Sequence, residues 1–200
     1  MARVRSSIAV GLAMLPLLAA GCDAGTKPNE NPPLAGARIG GEFALVDKDG
    51  RTVRYSDFAG KYRIVYFGYT FCPDVCPLDL QKLVQGLQLA EKRDPGLANA
   101  IQPLFITIDP ARDTPQVVGE YAAAFSPRLI GLTGSEAQIT AAAKAFAVYR
   151  VRGTDSPAGS YLMDHSRIAF LMGRDGKPLA MLPVDKTPQD VAAEIERWTA

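Results

Sequence analysis

The stretch YRIVYFGY, Tyr62 to Tyr69, constrains the fold more than any other part of the sequence. Its β-branched and aromatic residues form a nearly unbroken apolar run, the pattern of a central strand. PLFITID, Pro103 to Asp109, repeats that pattern and is expected as a second buried strand. Helical periodicity follows each run. Leu80, Leu83, Val84 and Leu87 share one face of a helix over about Pro77 to Lys92, and TPQVVGEYAAAF opens with Thr114 as N-cap and Pro115 at the first helical position. LIGLTG reads as a short strand, Ser135 to Ala147 as a helix, and Pro188 to Trp198 as the last helix. GEFALVDKDGRTVRYSDF and RIAFLMGRDGKPLAMLP read as hairpins turned at Asp49-Gly50 and Asp175-Gly176. Alternation of strands and helices, then a hairpin and a helix, predicts an α/β domain. Its central mixed sheet would be flanked by helices, with a β-hairpin at its N-terminal side.

Ahead of this domain, MARVRSSIAVGLAMLPLLAAGC has a basic start at Arg3 and Arg5 and an apolar run from Ile8 to Ala20. The run is well short of the roughly 20 residues a membrane-spanning helix needs, so residues 1–21 are expected to be a signal peptide rather than an anchor. LLAAGC resembles a bacterial lipobox, with Ala19 where leucine is commonest, which would make Cys22 the lipid-carrying residue. By the same resemblance Asp23 favours retention at the inner membrane, with the domain facing the periplasm. Asp23 to Gly36 is rich in Pro, Gly and Asn, and residues 22–38 are expected to be a lipid-anchored flexible tether. Its fourteen central residues would reach on the order of 20 Å. Residues 39–200 form the single expected domain. Net charge is +1, from 22 basic and 21 acidic residues, with no basic run, which argues against a nucleic-acid partner.

FCPDVCP, Phe71 to Pro77, follows the first strand directly. The candidates for such a pair are a structural disulfide, a redox dithiol and half of a metal site. Proline biases the residue before it toward extended backbone, so CPDVC is expected as a loop. Pro77 would then open a helix with Cys76 at its N-cap. Free N–H groups and the helix dipole there favour thiolate, the form that reacts and binds metal. Thioredoxin-like folds present their cysteines this way, between a strand and a helix start. They use two intervening residues where this chain has three. The wider loop leaves room for an ion and still permits disulfide closure. Outside the cytoplasm, Cys72 and Cys76 would be free to take either redox state.

The chain has one histidine, His165, in SYLMDHSRIAFLM. It stands just before an apolar strand, where thioredoxin-like proteins carry the proline that faces the cysteines. Asp164 beside it is a candidate to orient the ring. Two thiolates and one imidazole make three ligands. Structural zinc takes four, whereas soft thiolates select copper(I) and imidazole also suits copper. Three ligands would leave a position open for transfer.

Together YFGYTFCPDVCP, ITIDPARDTP and YLMDHS resemble the Sco/SenC family of copper-binding, thioredoxin-fold proteins, over about Gly40 to Trp198. The resemblance implies a membrane-anchored metallochaperone, not an enzyme, that helps build the CuA centre of cytochrome c oxidase. It implies one copper on Cys72, Cys76 and His165, as copper(I) with copper(II) a further candidate state. Asp74 and Asp164 would either tune the site or serve local structure, as a turn and a cap. The implied partners are the CuA-bearing oxidase subunit, a copper donor protein and, through the anchor, the membrane. Asp109, Arg112 and Asp113 would form either a partner-facing charged loop or a hydrogen-bonded helix start, the second being favoured. Of Tyr66, Phe67, Tyr69 and Phe71, some are expected in the core and others at the rim. The alternative function is a thiol–disulfide reductase, in which Cys72 attacks and Cys76 resolves and no histidine is needed.

Overall fold

The computed structural model describes residues 31–155 and 160–199. The signal segment, Cys22 and most of the tether lie outside the described residues. Two short strands, β1 (Ala44–Val46) and β2 (Thr52–Arg54), pair antiparallel around a turn in which Gly50 has φ +74°, a value that favours glycine. A 3₁₀ turn, Tyr55–Phe58, leads into β3 (Tyr62–Gly68). The long α1 (Val75–Arg93), the one-turn α2 (Leu97–Ala100) and β4 (Ile101–Thr107) follow. Next come α3 (Pro115–Phe125), β5 (Ile130–Leu132) and α4 (Glu136–Ala145). The chain then forms β6 (Arg150–Arg152), β7 (Met163–His165), β8 (Ala169–Met172), β9 (Pro178–Leu182) and α5 (Pro188–Thr199).

Five strands form the central sheet in the order β5-β4-β3-β8-β9. β3 runs parallel to β4 and antiparallel to β8, so the sheet is mixed, with the apolar run of β3 in its middle. Six of the seven β3 residues are buried because both faces are covered. On one face Tyr66 stacks on Phe105, which packs against Tyr121 of α3, and Gly68 lies under Cys76 of α1. α5 lies beside α1, with Val191 against Gly86. On the other face Phe67 meets Phe146 just after α4, and Phe146 meets Tyr55 and Phe170. The expected mixed sheet with flanking helices and an N-terminal hairpin is present.

Three details differ from the sequence expectation. First, α1 starts at Val75, so Asp74 holds the N-cap position and Cys76 lies inside the first turn. Pro77 does not prevent this, because the first N–H groups of a helix have no intrahelical acceptor to lose. Second, β6 and β7 were not anticipated. Among the described residues they pair only with each other, Arg150 opposite His165, and stand apart from the central sheet. Third, the compact unit begins at Asn31 rather than at Ile39. The Leu34 N–H donates to the Leu179 carbonyl of β9 at 3.0 Å, and Gly40 N–H to the Ala145 carbonyl at 2.8 Å. Among the described residues no helix is long and apolar enough to cross a membrane.

Candidate metal and thiol site

The site lies at the C-terminal end of β3, where the chain turns through Thr70–Asp74 into α1. Cys72 is partly exposed and Cys76 is buried, and neither is in a disulfide. Cys76 N–H points at Cys72 Sγ, 3.4 Å away. Partial burial opposes ionisation of Cys72. The backbone N–H groups of Asp74 and Cys76, the Cys76 thiol and the Val75 N–H outweigh it, and the thiol is held below its usual range. This is the helix N-terminus acting on the thiolate. Cys76 behaves in the opposite way. Burial pushes its thiol up to about 12 despite a hydrogen bond from Tyr69 N–H. Two cysteines four residues apart thus have opposed acidities, set by deep burial at Cys76 and by hydrogen bonds from the helix start at Cys72.

His165 reaches this pair from β7. Its Nε2 lies 3.3 Å from Cys76 Sγ, and its Nδ1 lies 2.9 Å from the Ser166 carbonyl oxygen. A carbonyl can only accept, so Nδ1 carries the proton and Nε2 turns its lone pair toward the sulfur. Burial holds the imidazole below its ordinary pKa, against the opposing effects of the Ser166 hydrogen bond and the Asp79 and Asp164 charges. The ring is therefore neutral at pH 7, as a ligand must be. Tyr69 packs edge-on against it, with ring centres 5.9 Å apart. Among the described residues no three His, Cys, Asp or Glu side chains are yet gathered as a metal cluster. Cys76 and His165 are in contact, while the Cys72 sulfur faces backbone N–H groups.

The two aspartates expected to tune the site act indirectly. Asp74 makes no side-chain cap bond and contributes its backbone N–H to Cys72. Asp164 is exposed and does not hold the ring. The Ser166 carbonyl does that, and Asp164 acts only through its charge. Asp109 and Asp113 are buried, so the loop they share is a hydrogen-bonded helix start rather than a charged surface. Asp113 accepts from Thr70 N–H at 3.1 Å, Thr70 Oγ1 at 2.6 Å and Thr107 Oγ1 at 2.5 Å, which fixes the strand-to-cysteine turn. Thr114 caps α3 as expected. Tyr66, Phe67 and Tyr69 belong to the core, and Phe71, 53% exposed, stands at the rim.

A buried ion pair was not anticipated. Asp79 has no accessible surface and accepts two hydrogen bonds from Arg167, at 2.7 and 3.1 Å, and one from Tyr66 OH at 3.1 Å. Tyr66 in turn interacts with Cys76. The chain of contacts joins the segment after His165 to the helix that carries Cys76. Its signal in the sequence is an acid three residues after Cys76 and four before Leu83, on the apolar face of α1. Asp79→Ala should lower stability by about 2 kcal/mol, mostly from the lost hydrogen bond of the buried Tyr66 hydroxyl to a carboxylate. Arg167 adds little because its side chain is 44% exposed and can turn to water. A urea midpoint shift at unchanged m-value measures this.

This fold places a helix-start dithiol opposite a histidine strand, the arrangement of a thioredoxin-like thiol or metal protein. The SCO1/SenC family profile matches residues 31–200. Protein sco1 of Schizosaccharomyces pombe is 38% identical over 160 residues, covering 79% of this chain and 60% of that protein. The SCO2-like protein of Rickettsia felis is 38% identical over 169 residues, covering 80% of each. The copper-bound structure of Bradyrhizobium japonicum ScoI superposes with a TM-score of 0.71 at 36% identity, covering 80% of this chain and 99% of that one. The chain belongs to the SCO1/SenC family and has its thioredoxin-like fold. It spans about three-fifths of the length of the fission-yeast relative.

Proposed function

We propose that this protein is a copper metallochaperone. It takes one copper ion as cargo on Cys72, Cys76 and His165 and assists assembly of the CuA centre of cytochrome c oxidase. The observation that carries this reading is the contact between Cys76 Sγ and His165 Nε2 at 3.3 Å, with the imidazole fixed as a neutral donor. A redox dithiol alone has no need of that lone pair. Copper(I) suits two thiolates and an imidazole, and the copper-bound ScoI structure supports the same cargo. Cys72, partly exposed and facing the loop, would close onto the ion and release it first. With three protein ligands, an acceptor thiolate has a free position from which to begin ligand exchange. The reading includes a signal peptide over residues 1–21, a lipid anchor at Cys22 and a tether from there to the compact unit that begins at Asn31. The folded part would then face the periplasm from the inner membrane, beside the CuA-bearing subunit and a copper donor protein.

One observation favours a second activity. The acid, accessible Cys72 beside the buried, high-pKa Cys76 is the pairing of an attacking and a resolving thiol. Cys72 thiolate would attack a partner disulfide and release one partner thiolate. Cys76 would then give up its proton and attack the Cys72 sulfur. The partner leaves as a dithiol and Cys72–Cys76 as a disulfide, two electrons having passed. The two readings separate in one experiment. The copper(I)-loaded chain and, separately, the copper-free reduced chain are mixed with a CuA-type acceptor domain whose cysteines are reduced or oxidised. The metallochaperone reading expects one copper per chain to move to the reduced acceptor. It fails if copper stays put. A Cys76→Ser chain that traps no mixed disulfide with the oxidised acceptor would remove the second reading.

A further inference from the structure

The strand that brings His165 to the dithiol is three residues long and, among the described residues, pairs only with β6, outside the central sheet. A two-stranded ribbon is marginal by itself, so something else must hold it against the cysteines. On its C-terminal side, β8 and the Asp79–Arg167 pair do so. Elsewhere Met163 is buried in the core and its N–H meets Tyr69, and Arg150, opposite His165, donates to the Ile108 carbonyl at 2.9 Å and pairs with Glu136. The contacts that also reach the cysteine loop centre on Arg112. The Arg112 guanidinium donates from Nε to Asp109 Oδ2 at 2.5 Å and from Nη1 to the Tyr161 carbonyl at 2.9 Å, and it lies 3.6 Å from the centre of the Tyr161 ring. Tyr161 OH donates back to Asp109 Oδ1 at 2.8 Å, closing the ring of contacts. The same guanidinium is 4.8 Å from the Phe71 ring and 5.7 Å from the Tyr69 ring, the residues flanking the start of the cysteine loop. Tyr161 is four residues before His165, and Phe71 is next to Cys72.

We propose that Arg112 is a positioning residue for the third copper ligand. Clamped to Asp109 and Tyr161, it seats the His165 strand against the cysteine loop. This rests on the three-ligand reading above. The neighbouring Asp113 fixes the cysteine side of the same junction through Thr70. The turn from Asp109 to Asp113 therefore contacts both halves of the site. A lysine cannot replace the fork, because Nε and Nη1 serve two acceptors at once while the plane stacks on Tyr161.

The test uses the full chain with copper(I) and a colorimetric copper(I) chelator as competitor. Arg112→Met should lower copper(I) affinity 10- to 100-fold, the usual effect of losing a ligand's support. His165→Ala should lower it by at least as much, and the double variant should be no weaker than His165→Ala alone. X-ray absorption at copper should show two sulfurs retained and the nitrogen lost. The single histidine gives a single imidazole Cε1–H signal. In the copper-free Arg112→Met chain it should leave the position imposed by the Tyr69 ring and take that of a solvated imidazole. Arg112→Lys should restore these properties only in part. If Arg112→Met fails to fold, Tyr161→Phe, which removes only the hydroxyl to Asp109, should give a smaller shift in the same direction. The proposal is overturned if Arg112→Met leaves affinity and the imidazole signal unchanged while His165→Ala weakens binding, or if the two losses add. Unchanged binding in His165→Ala would instead overturn the three-ligand reading itself.

Discussion

Limited alkylation of the reduced chain at pH 7 should mark Cys72 and spare Cys76 by a factor of about 100 or more. Cys76 is pushed up to about 12 by burial, whereas Cys72 is held below the ordinary 9.0. The thiolate fractions then differ on the order of 10³-fold. A thiolate of higher pKa is intrinsically more nucleophilic, which returns roughly a factor of 20. Cys76 also has no accessible surface, and this second barrier restores the gap. Mass spectrometry of the partly modified chain reads the ratio. Equal labelling would mean that α1 does not bury Cys76 in solution. The opposed acidities, on which both functional readings draw, would then be lost.

Copper(I) affinity should climb steeply with pH. Both cysteines must lose protons to bind, so each contributes a tenfold gain per pH unit while it is still a thiol. Cys76 stays a thiol through neutral pH because burial keeps it near 12. The slope between pH 7 and 8 should therefore be at least tenfold per unit, approaching about 100-fold wherever Cys72 is also protonated. His165 adds nothing there, since burial sets its pKa below the ordinary 6.5 and it is already neutral. Its proton enters only at lower pH, where the slope should steepen further. Copper(I) competition at a series of pH values measures the slope. A flat response would mean that copper is not held by these thiolates.

What the sequence made legible, and what it hid, follows from the range of each interaction. β3 and β4 were readable because a strand buried on both faces needs an unbroken apolar run. The α3 start was readable because Thr114 and Pro115 satisfy a local rule. The dithiol and the single histidine were readable as candidate ligands from their chemistry alone. β6 and β7 were not, because three-residue strands carry too little alternation to stand out. The first turn of α1 was displaced because a proline is tolerated at its third position as well as its first. The ring-orienting group was assigned to Asp164, an adjacent side chain, when it is the backbone carbonyl of Ser166, which no residue type announces. The Asp79–Arg167 pair and the Arg112–Tyr161 clamp join residues 88 and 49 positions apart, so neither half suggests the other.

The central claim is that one copper is held by two sulfurs and one histidine nitrogen. Anaerobic copper(I) titration of the full chain and of Cys72→Ser, Cys76→Ser and His165→Ala, read by absorption against a competing chelator, tests it most directly. The account predicts one tightly held copper per chain in the parent, and tight binding lost in either cysteine variant. His165→Ala should bind one copper at least about 10- to 100-fold more weakly, the range for losing only a ligand's support. Parent-like affinity and stoichiometry in His165→Ala would contradict it and leave the dithiol as a carrier of electrons alone or of copper without the histidine.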